Sequence, residues 1–248
     1  MTRHDASLDE TQTRIDLAAA IRLSCRERWH EGVANHFSAA VSADGRKFLV
    51  NPRWVHWGRV KASDLVLCDA DDPGTMARAD APDPSAWSIH SALHRNLPQA
   101  RVALHIHPPH ATALCGLKDP TIKPIDQVTA RFFRRAAYDL NFGGIASEGD
   151  EGERIATTVG NHKMVMMQNH GVTSLGASLA EAWDALYHLE RAAKTLLLAY
   201  STGQPLKIMA DDLAEATAAE WESYKDAEFA HFAEMKLVLD REEPDYKD

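Results

Sequence analysis

The sequence of 248 residues has only three cysteines, Cys25, Cys68 and Cys115, an odd number spread widely along it, which excludes a disulfide framework. It has no run of the roughly 20 apolar residues that a bilayer-spanning helix needs. Its opening stretch, MTRHDASLDETQTR, is polar and lacks the apolar segment of a signal peptide. A basic excess is missing too: 27 Lys and Arg face 36 Asp and Glu, for a formal charge of −9. No surface of that balance is built to neutralise nucleic-acid phosphates or anionic lipid. These absences lead us to expect a reduced, cytoplasmic protein that binds no nucleic acid and no membrane, and whose partner is a small molecule or another copy of itself.

What is present reads as one α/β domain. Apolar residues from Ile15 to Cys25 recur near helical spacing behind Asp9 or Thr11, which predicts a helix over 11–29. Asp44-Gly45 between apolar runs at 37–41 and 47–50 predicts an antiparallel hairpin. Residues 65–68 read as a third strand, and the Asp/Pro/Gly/Ala-rich stretch 69–84 reads as an exposed loop. Ser85 is expected to cap a helix ending at Arg95, and 101–107 reads as a buried strand. Helices are expected over 111–117, 148–159, 178–200 and from Asp212 to about Leu239, with a strand over 163–167. We therefore expect a disordered lead over 1–9, one domain over 10–240 and an acidic tail over 241–248, with no internal repeat.

Thirteen histidines are a surplus, and their spacing carries the information. His105 and His107 lie two apart in a predicted strand, which puts both rings on one face. His170 ends another strand in Gln168-Asn169-His170-Gly171 and would supply a third imidazole. Three histidines of this kind suit Zn²⁺ or another first-row divalent ion and leave coordination positions open for substrate. Alone, the His-x-His pair reads more readily as two half-buried histidines; its coincidence with Asn-His-Gly shifts the balance.

Three runs, His105-Ile-His107-Pro-Pro-His110-Ala-Thr-Ala-Leu, Gln168-Asn169-His170-Gly171 and Ala182-Trp-Asp-Ala-Leu-Tyr-His-Leu-Glu190-Arg-Ala, occur in that order. Over about residues 10–205 the chain resembles the class II aldolase/adducin family. The resemblance implies a single three-layer α/β/α domain around a mostly antiparallel sheet, usually assembled as a homotetramer with sites at subunit interfaces. It also implies a divalent metal ion, Zn²⁺ first with Mn²⁺ or Co²⁺ as alternatives, held by the residues matching His105, His107 and His170.

The departures from the family pattern are as informative. Sugar-phosphate aldolases of the family carry Ser-Ser-Glu before a helix, the glutamate serving as acid and base; here Pro84-Ser85-Ala86-Trp87 puts Ala86 at that position. Their phosphate-cradling loops are replaced by Gly32-Val-Ala-Asn35-His36-Phe37-Ser38 and Asn51-Pro52-Arg53-Trp54, with Trp54 standing where a glycine would let backbone N–H groups approach an anion. A phosphorylated sugar is not expected. Asn35, His36, Arg53, Trp54 and Trp87, with His56, Trp57 and Phe132 or Phe133, are candidates to line a cleft for a flat substrate, one arginine taking a carboxylate. Core packing is an equal alternative for the tryptophans.

His90, one turn beyond Ala86, is placed to reach the space of the missing glutamate, and His94 continues that face. Arg131 and Tyr138 lie in the segment that approaches a neighbouring site in family tetramers, where a phenol can move a proton. Glu190 and Arg191 are expected to form an ion pair, and Cys115 to pack as a small buried hydrophobe. The expected activity is that of a divalent-metal-dependent carbon–carbon lyase, cleaving a non-phosphorylated hydroxy-carbonyl or hydroxy-acid substrate, aromatic ones included, by a retro-aldol step that releases an aldehyde. A metal-dependent decarboxylase of a hydroxy-aromatic or β-oxo acid is the alternative, and a non-catalytic adducin-like assembly domain the further one.

Overall fold

Capping and turn chemistry set the element ends in this computed structural model, which describes residues 9–144, 149–224 and 226–248. Asp9 accepts the Thr11 amide and starts α1 (Glu10–Arg26). The Asp-Gly hairpin forms as expected, joining β1 (His36–Ala40) to β2 (Lys47–Val50), and β3 (Val66–Asp69) follows antiparallel to β2. The loop after β3 contains a 3₁₀ turn, Pro73–Ala77, opened by the Asp72 side chain on Gly74 N. Helix α2 (Pro84–Asn96) is capped by Asp83, not by Ser85, whose amide and hydroxyl both donate to the Asp83 carboxylate. Pro84 at the first helical position needs no N–H partner, which favours the earlier start.

The chain continues through β4 (Val102–Ile106), α3 (Pro109–Cys115), α4 (Gln127–Ala130), β5 (Ala137–Asp139), α5 (Gly149–Val159), β6 (Met164–Met167) and β7 (Val172–Gly176). Helices α6 (Leu179–Ser201), α7 (Asp211–Ser223) and α8 (Ala227–Glu242) complete it. Two strands, β5 and β7, were not expected: β5 has only three residues, and β7, Val-Thr-Ser-Leu-Gly, is buried throughout and shows no alternation. The single helix expected from Asp212 to Leu239 is broken between α7 and α8, where Asp226 adopts a left-handed φ of 66°. Residues 1–8 of the expected lead and the Glu148 start of the helix at 148–159 lie outside the described residues.

The seven strands form one sheet in the order β3-β2-β1-β4-β7-β6-β5, antiparallel except for the β5–β6 pair. The period-2 alternation of the central strands sorts their side chains into two layers. Phe37, Ala39, Val102, Leu104, Ile106 and Val172 face the core built with α1, α3, α6 and α8. Ala103, Val165, Met167 and Leu175 face a smaller core under α2 and α5. This is the three-layer α/β/α domain around a mostly antiparallel sheet. Helices α2 and α5 approach closely because Gly152 has no side chain; a Cβ there would lie 2.1 Å from the Ser88 carbonyl oxygen.

The acidic segment 241–248 does not trail away. Buried Arg22 of α1 gives its Nε to the Val60 carbonyl and its Nη atoms to Glu243 and Asp245. Tyr246 is fully buried, with its hydroxyl on Asp240. Glu243 and Asp245 are thus the counter-charges of a buried arginine, while Glu242 pairs with Arg26 and Asp248 with Lys61. Glu190 is also used differently from expectation. It is buried and accepts the amides of His110 and Ala111 and the His110 Nδ1–H, so it satisfies the first turn of α3 and does not form the pair expected with Arg191. Cys115 is fully buried, as expected, and burial raises its thiol pKa to about 12.

Candidate metal centre

The layer under α2 carries a polar seam at one end of the sheet. Alternation puts His36 and Ser38 of β1, His105 of β4 and Thr173 of β7 on the face that also carries Ala103 and Leu175, and the ladder pairs His36 with His105 and His105 with Thr173. His107 lies just past β4. His170 occupies the tight turn between β6 and β7, where Asn169 takes a φ of 57°. Gly171 after it is obligatory, since a Cβ would stand 2.3 Å from His107 Cδ2 and 2.9 Å from the Ile106 carbonyl oxygen. The Asn-His-Gly signature is therefore a packing requirement for bringing His170 over His107.

The three rings converge. His105 Nε2 and His107 Nε2 are 3.3 Å apart, the His170 ring centroid is 4.8 Å from that of His105 and 5.0 Å from that of His107, and one ligand atom from each lies within 4.8 Å of the others. The outer nitrogens are held from behind: His105 Nδ1 meets Thr173 Oγ1 at 3.1 Å, and His107 Nδ1 meets Glu31 Oε2 at 2.7 Å. With Nδ1–H donating outward, each Nε2 keeps its lone pair directed inward, the tautomer a metal ligand needs. Burial and the neighbouring rings hold His105 well below its ordinary pKa, and burial, then His107, lower His170 to about 4. Both are neutral at pH 7. Converging neutral nitrogens with anchored outer nitrogens suit a divalent first-row ion.

A second row of imidazoles stands behind the first. The His36 ring lies 4.8 Å from that of His105, its Nδ1 is 2.8 Å from His90 Nε2, and its Nε2 is 3.3 Å from Ser85 Oγ. His90 Nδ1 contacts Ser38 Oγ at 2.5 Å, and Ser38 Oγ contacts His94 Nε2 at 2.7 Å. Burial, with His94 next, lowers His90 to about 3, and burial lowers His94 to a similar value. His36 is held well below its ordinary value by burial and then by His90. His90 therefore stays behind His36, one ring further from the three converging nitrogens than the sequence suggested.

Most of the other expected site residues are committed elsewhere, while Trp54 and Arg53 stay open to solvent. Asn35, with φ 72°, accepts the Glu31 amide and donates to Glu31 Oε2, so it steadies the carboxylate behind His107. Trp54 is 65% exposed at φ 63° with the Arg53 guanidinium 4.6 Å over its ring, and Arg53 reaches Asp83 at 3.3 Å. The remaining aromatic residues do not assemble a cleft. Trp57 is fully buried against Phe37, Trp87 stacks on Phe48 beside the β2–β3 core, and Phe132 is buried. Arg131 pairs with Asp184 and lies 5.0 Å over Trp221. Tyr138 is half-buried against the core; its hydroxyl accepts the Ile122 amide, and burial raises its pKa to about 12. Within this chain Trp87, Arg131 and Tyr138 are packing and pairing residues, since their ring, ion-pair and hydroxyl contacts lie away from the three histidines.

Glu31, Thr173, Ser38 and Asp83 were missed. Ser38 was findable, since it lies in the strand expected over 37–41, two residues after His36. Thr173 sat on an unpredicted strand, and Glu31 in a loop with no periodicity.

Residues 15–197 match the profile of the class II aldolase and adducin N-terminal domain. The chain belongs to the class II aldolase/adducin family. A Caulobacter vibrioides protein provisionally named an aldolase class 2 protein is 32% identical over 206 residues, 83% of this chain and 79% of the relative. The crystal structure of an aldolase II superfamily protein from Pseudomonas syringae superposes with a TM-score of 0.86 at 30% identity, covering 96% of each chain. A decarboxylase, NovR of Streptomyces niveus, is 26% identical over 204 residues, 79% of this chain and 74% of the relative. Family membership fixes the fold and joins this chain to aldolases, decarboxylases and adducins.

Proposed function

We propose that this chain is a divalent-metal-dependent carbon–carbon lyase acting on a non-phosphorylated hydroxy-carbonyl or hydroxy-acid substrate. The observation that carries the reading is the convergence of the His105, His107 and His170 nitrogens with Thr173 and Glu31 fixing the outer nitrogens of two of them. A scaffold has no need of a preorganised ligand set. A divalent ion held there supplies Lewis-acid stabilisation of negative charge on the substrate carbonyl oxygen.

Where Ala86 offers no polar group, the chain's own residues supply a hydrogen-bond donor. His36 is neutral and stands beside His105; His90 Nε2, which also donates to the His36 carbonyl oxygen, donates to His36 Nδ1, so the His36 hydrogen sits on Nε2 and is given to Ser85 Oγ, whose own hydrogen goes to Asp83. In a retro-aldol step His36 Nε2–H turns from Ser85 Oγ to the substrate oxygen on which negative charge gathers, while the hydroxyl proton passes to solvent or to the substrate's own carboxylate as the carbon–carbon bond breaks and solvent returns a proton to carbon. His90 acts through His36 and is a positioning residue. Trp54 and Arg53 at the rim contact the far end of the substrate, the guanidinium taking a carboxylate. Asn51, in the stretch that replaces the second phosphate-cradling loop, is buried with its side chain committed to Phe37 N and the Asn35 carbonyl and so offers no donor to an anion, which supports a substrate without phosphate.

The similarity to NovR favours decarboxylation as the second reading. It draws on the same charge stabilisation and differs in releasing CO₂ in place of an aldehyde. Exposed Leu140 and Phe142, the latter with its ring 5.8 Å from His170, support an assembly, a homotetramer by family precedent, in which a neighbouring copy covers the site. The test is to incubate metal-loaded protein with hydroxy-acid, hydroxy-carbonyl and hydroxy-aromatic acid panels while following aldehyde and CO₂ separately. Release that stops on chelation and in His170→Ala supports the lyase. Metal content unchanged in both His105→Ala and His170→Ala overturns the site, and a metal-loaded chain inert on all panels leaves the assembly reading in front.

A further inference from the structure

The end of α1 and the two loops beyond it bring together a second set of ligand atoms that the lyase reading does not use. Cys25 is in the last turn of α1, His30 in the following loop, and His56 just before the 3₁₀ turn Trp57–Arg59. Cys25 Sγ lies 3.4 Å from His30 Nε2, His30 Nε2 lies 3.3 Å from His56 Nε2, and the three atoms are all within 4.8 Å of one another. Imidazole nitrogens about 2.0–2.1 Å and a thiolate about 2.3 Å from a tetrahedral ion are separated by roughly 3.3–3.6 Å. The two short separations match that spacing, and the His30–His56 value equals the His105–His107 one.

The hydrogen-bond logic leaves the right lone pair available. His56 Nδ1 accepts the Gly58 amide, so neutral His56 carries its hydrogen on Nε2 and points it at His30 Nε2. His30 then carries its own hydrogen on Nδ1, a buried atom with no partner, and its Nε2 lone pair faces both Cys25 and His56. Burial, then His56, lowers the His30 pKa, which keeps the ring unprotonated. Ligation by His56 moves its hydrogen to Nδ1 and gives up one exposed amide contact, a small loss beside a metal–nitrogen bond.

We propose that Cys25, His30 and His56 form a second metal site, of one thiolate and two imidazoles, that takes Zn²⁺ and leaves its fourth position to solvent. One sulfur with two nitrogens selects a borderline-soft ion over Mg²⁺ or Mn²⁺. On binding, the Cys25 thiol proton is released to solvent and the thiolate sulfur bonds the ion, with no change of oxidation state. The ion ties the end of α1 to the loop that carries Glu31, the residue behind His107. The site stands whether or not the chain is a lyase.

The test is a Co²⁺ titration of the full chain, because a cobalt–thiolate bond gives a near-ultraviolet charge-transfer band and the three-histidine centre contains no sulfur. The band is expected in the native chain and in a His105→Ala/His107→Ala/His170→Ala variant. It is expected to vanish in Cys25→Ser and in His30→Gln, both of which retain the visible cobalt spectrum of the three-histidine centre as evidence of folding. His30→Gln keeps the thiol and serves as the second variant should Cys25→Ser fold poorly. A native chain that binds Co²⁺ without the band, or a band that survives either substitution, overturns the proposal.

Discussion

The two histidine clusters share one spacing and differ in what stands behind the rings. In the His105/His107/His170 centre, Thr173 and Glu31 hold the outer nitrogens of two ligands, His105 is buried, and the ligands hang from a strand end and a tight turn. In the Cys25/His30/His56 cluster the outer nitrogen of His30 has no partner, that of His56 accepts an amide, and His56 is exposed. Spacing alone makes a site possible, whereas anchoring of the outer nitrogens keeps it formed before the ion arrives. The first cluster should therefore bind more tightly and exchange more slowly than the second.

The largest break in that comparison comes from removing a ligand. His105→Ala or His170→Ala should lower bound divalent metal by one equivalent per chain, and lyase turnover, once a substrate is in hand, by about 10³-fold or more. Elemental analysis against protein concentration reads the first effect. The next largest comes from the supports. Glu31→Gln and Thr173→Val keep all three ligands, and each should weaken metal binding by roughly 10–100-fold, read by competition with a chromophoric chelator. Similar affinities for native chain and both variants would mean that the outer contacts do not orient the rings.

Legibility in the sequence followed locality. His105 and His107 were readable because a strand's period-2 geometry is written in two letters with one residue between them, and His170 because Asn-His-Gly records a turn with no room for a Cβ. The helices and the β1–β2 hairpin were readable from caps and periodicity. What failed was whatever tertiary contact decides. Trp57 and Trp87 read equally as cleft or core until Phe37 and Phe48 are seen against them. Glu31 is 76 residues from His107 in sequence, and no periodicity joins them. The role of His90 was displaced by one ring because helix spacing gives a face but not the depth at which the side chain meets the sheet.

A smaller effect tests the second row of imidazoles through pH. In the unfolded chain a histidine takes up a proton near pH 6.5; in the folded chain His90 and His94 do so only at about 3. Between those values the unfolded state holds more protons, so the stability is fully present above about pH 6.5 and is lost as pH falls toward the folded pKa. Each ring should contribute a slope of about 1.4 kcal/mol per pH unit in that window. Urea denaturation of metal-free protein at several pH values should give a flatter dependence for His94→Gln than for the native chain, by about one ring's worth. An unchanged slope would mean that solvent or a proton reaches His94 in the folded state.

The smallest effect separates support from contact. Asn35 touches the centre only through Glu31, by two long bonds of 3.2 and 3.4 Å, and its φ of 72° makes Asn35→Gly the variant that removes the side chain without backbone strain. That change should weaken metal binding by only a few-fold, corresponding to a net loss of about 0.5–1 kcal/mol. In a Glu31→Gln background, where the oriented carboxylate is already gone, the same change should have almost no further effect, because two residues acting through one bond do not add. Full additivity would mean that Asn35 acts on the centre by a route other than Glu31, and would move it from the support behind His107 to the binding surface itself.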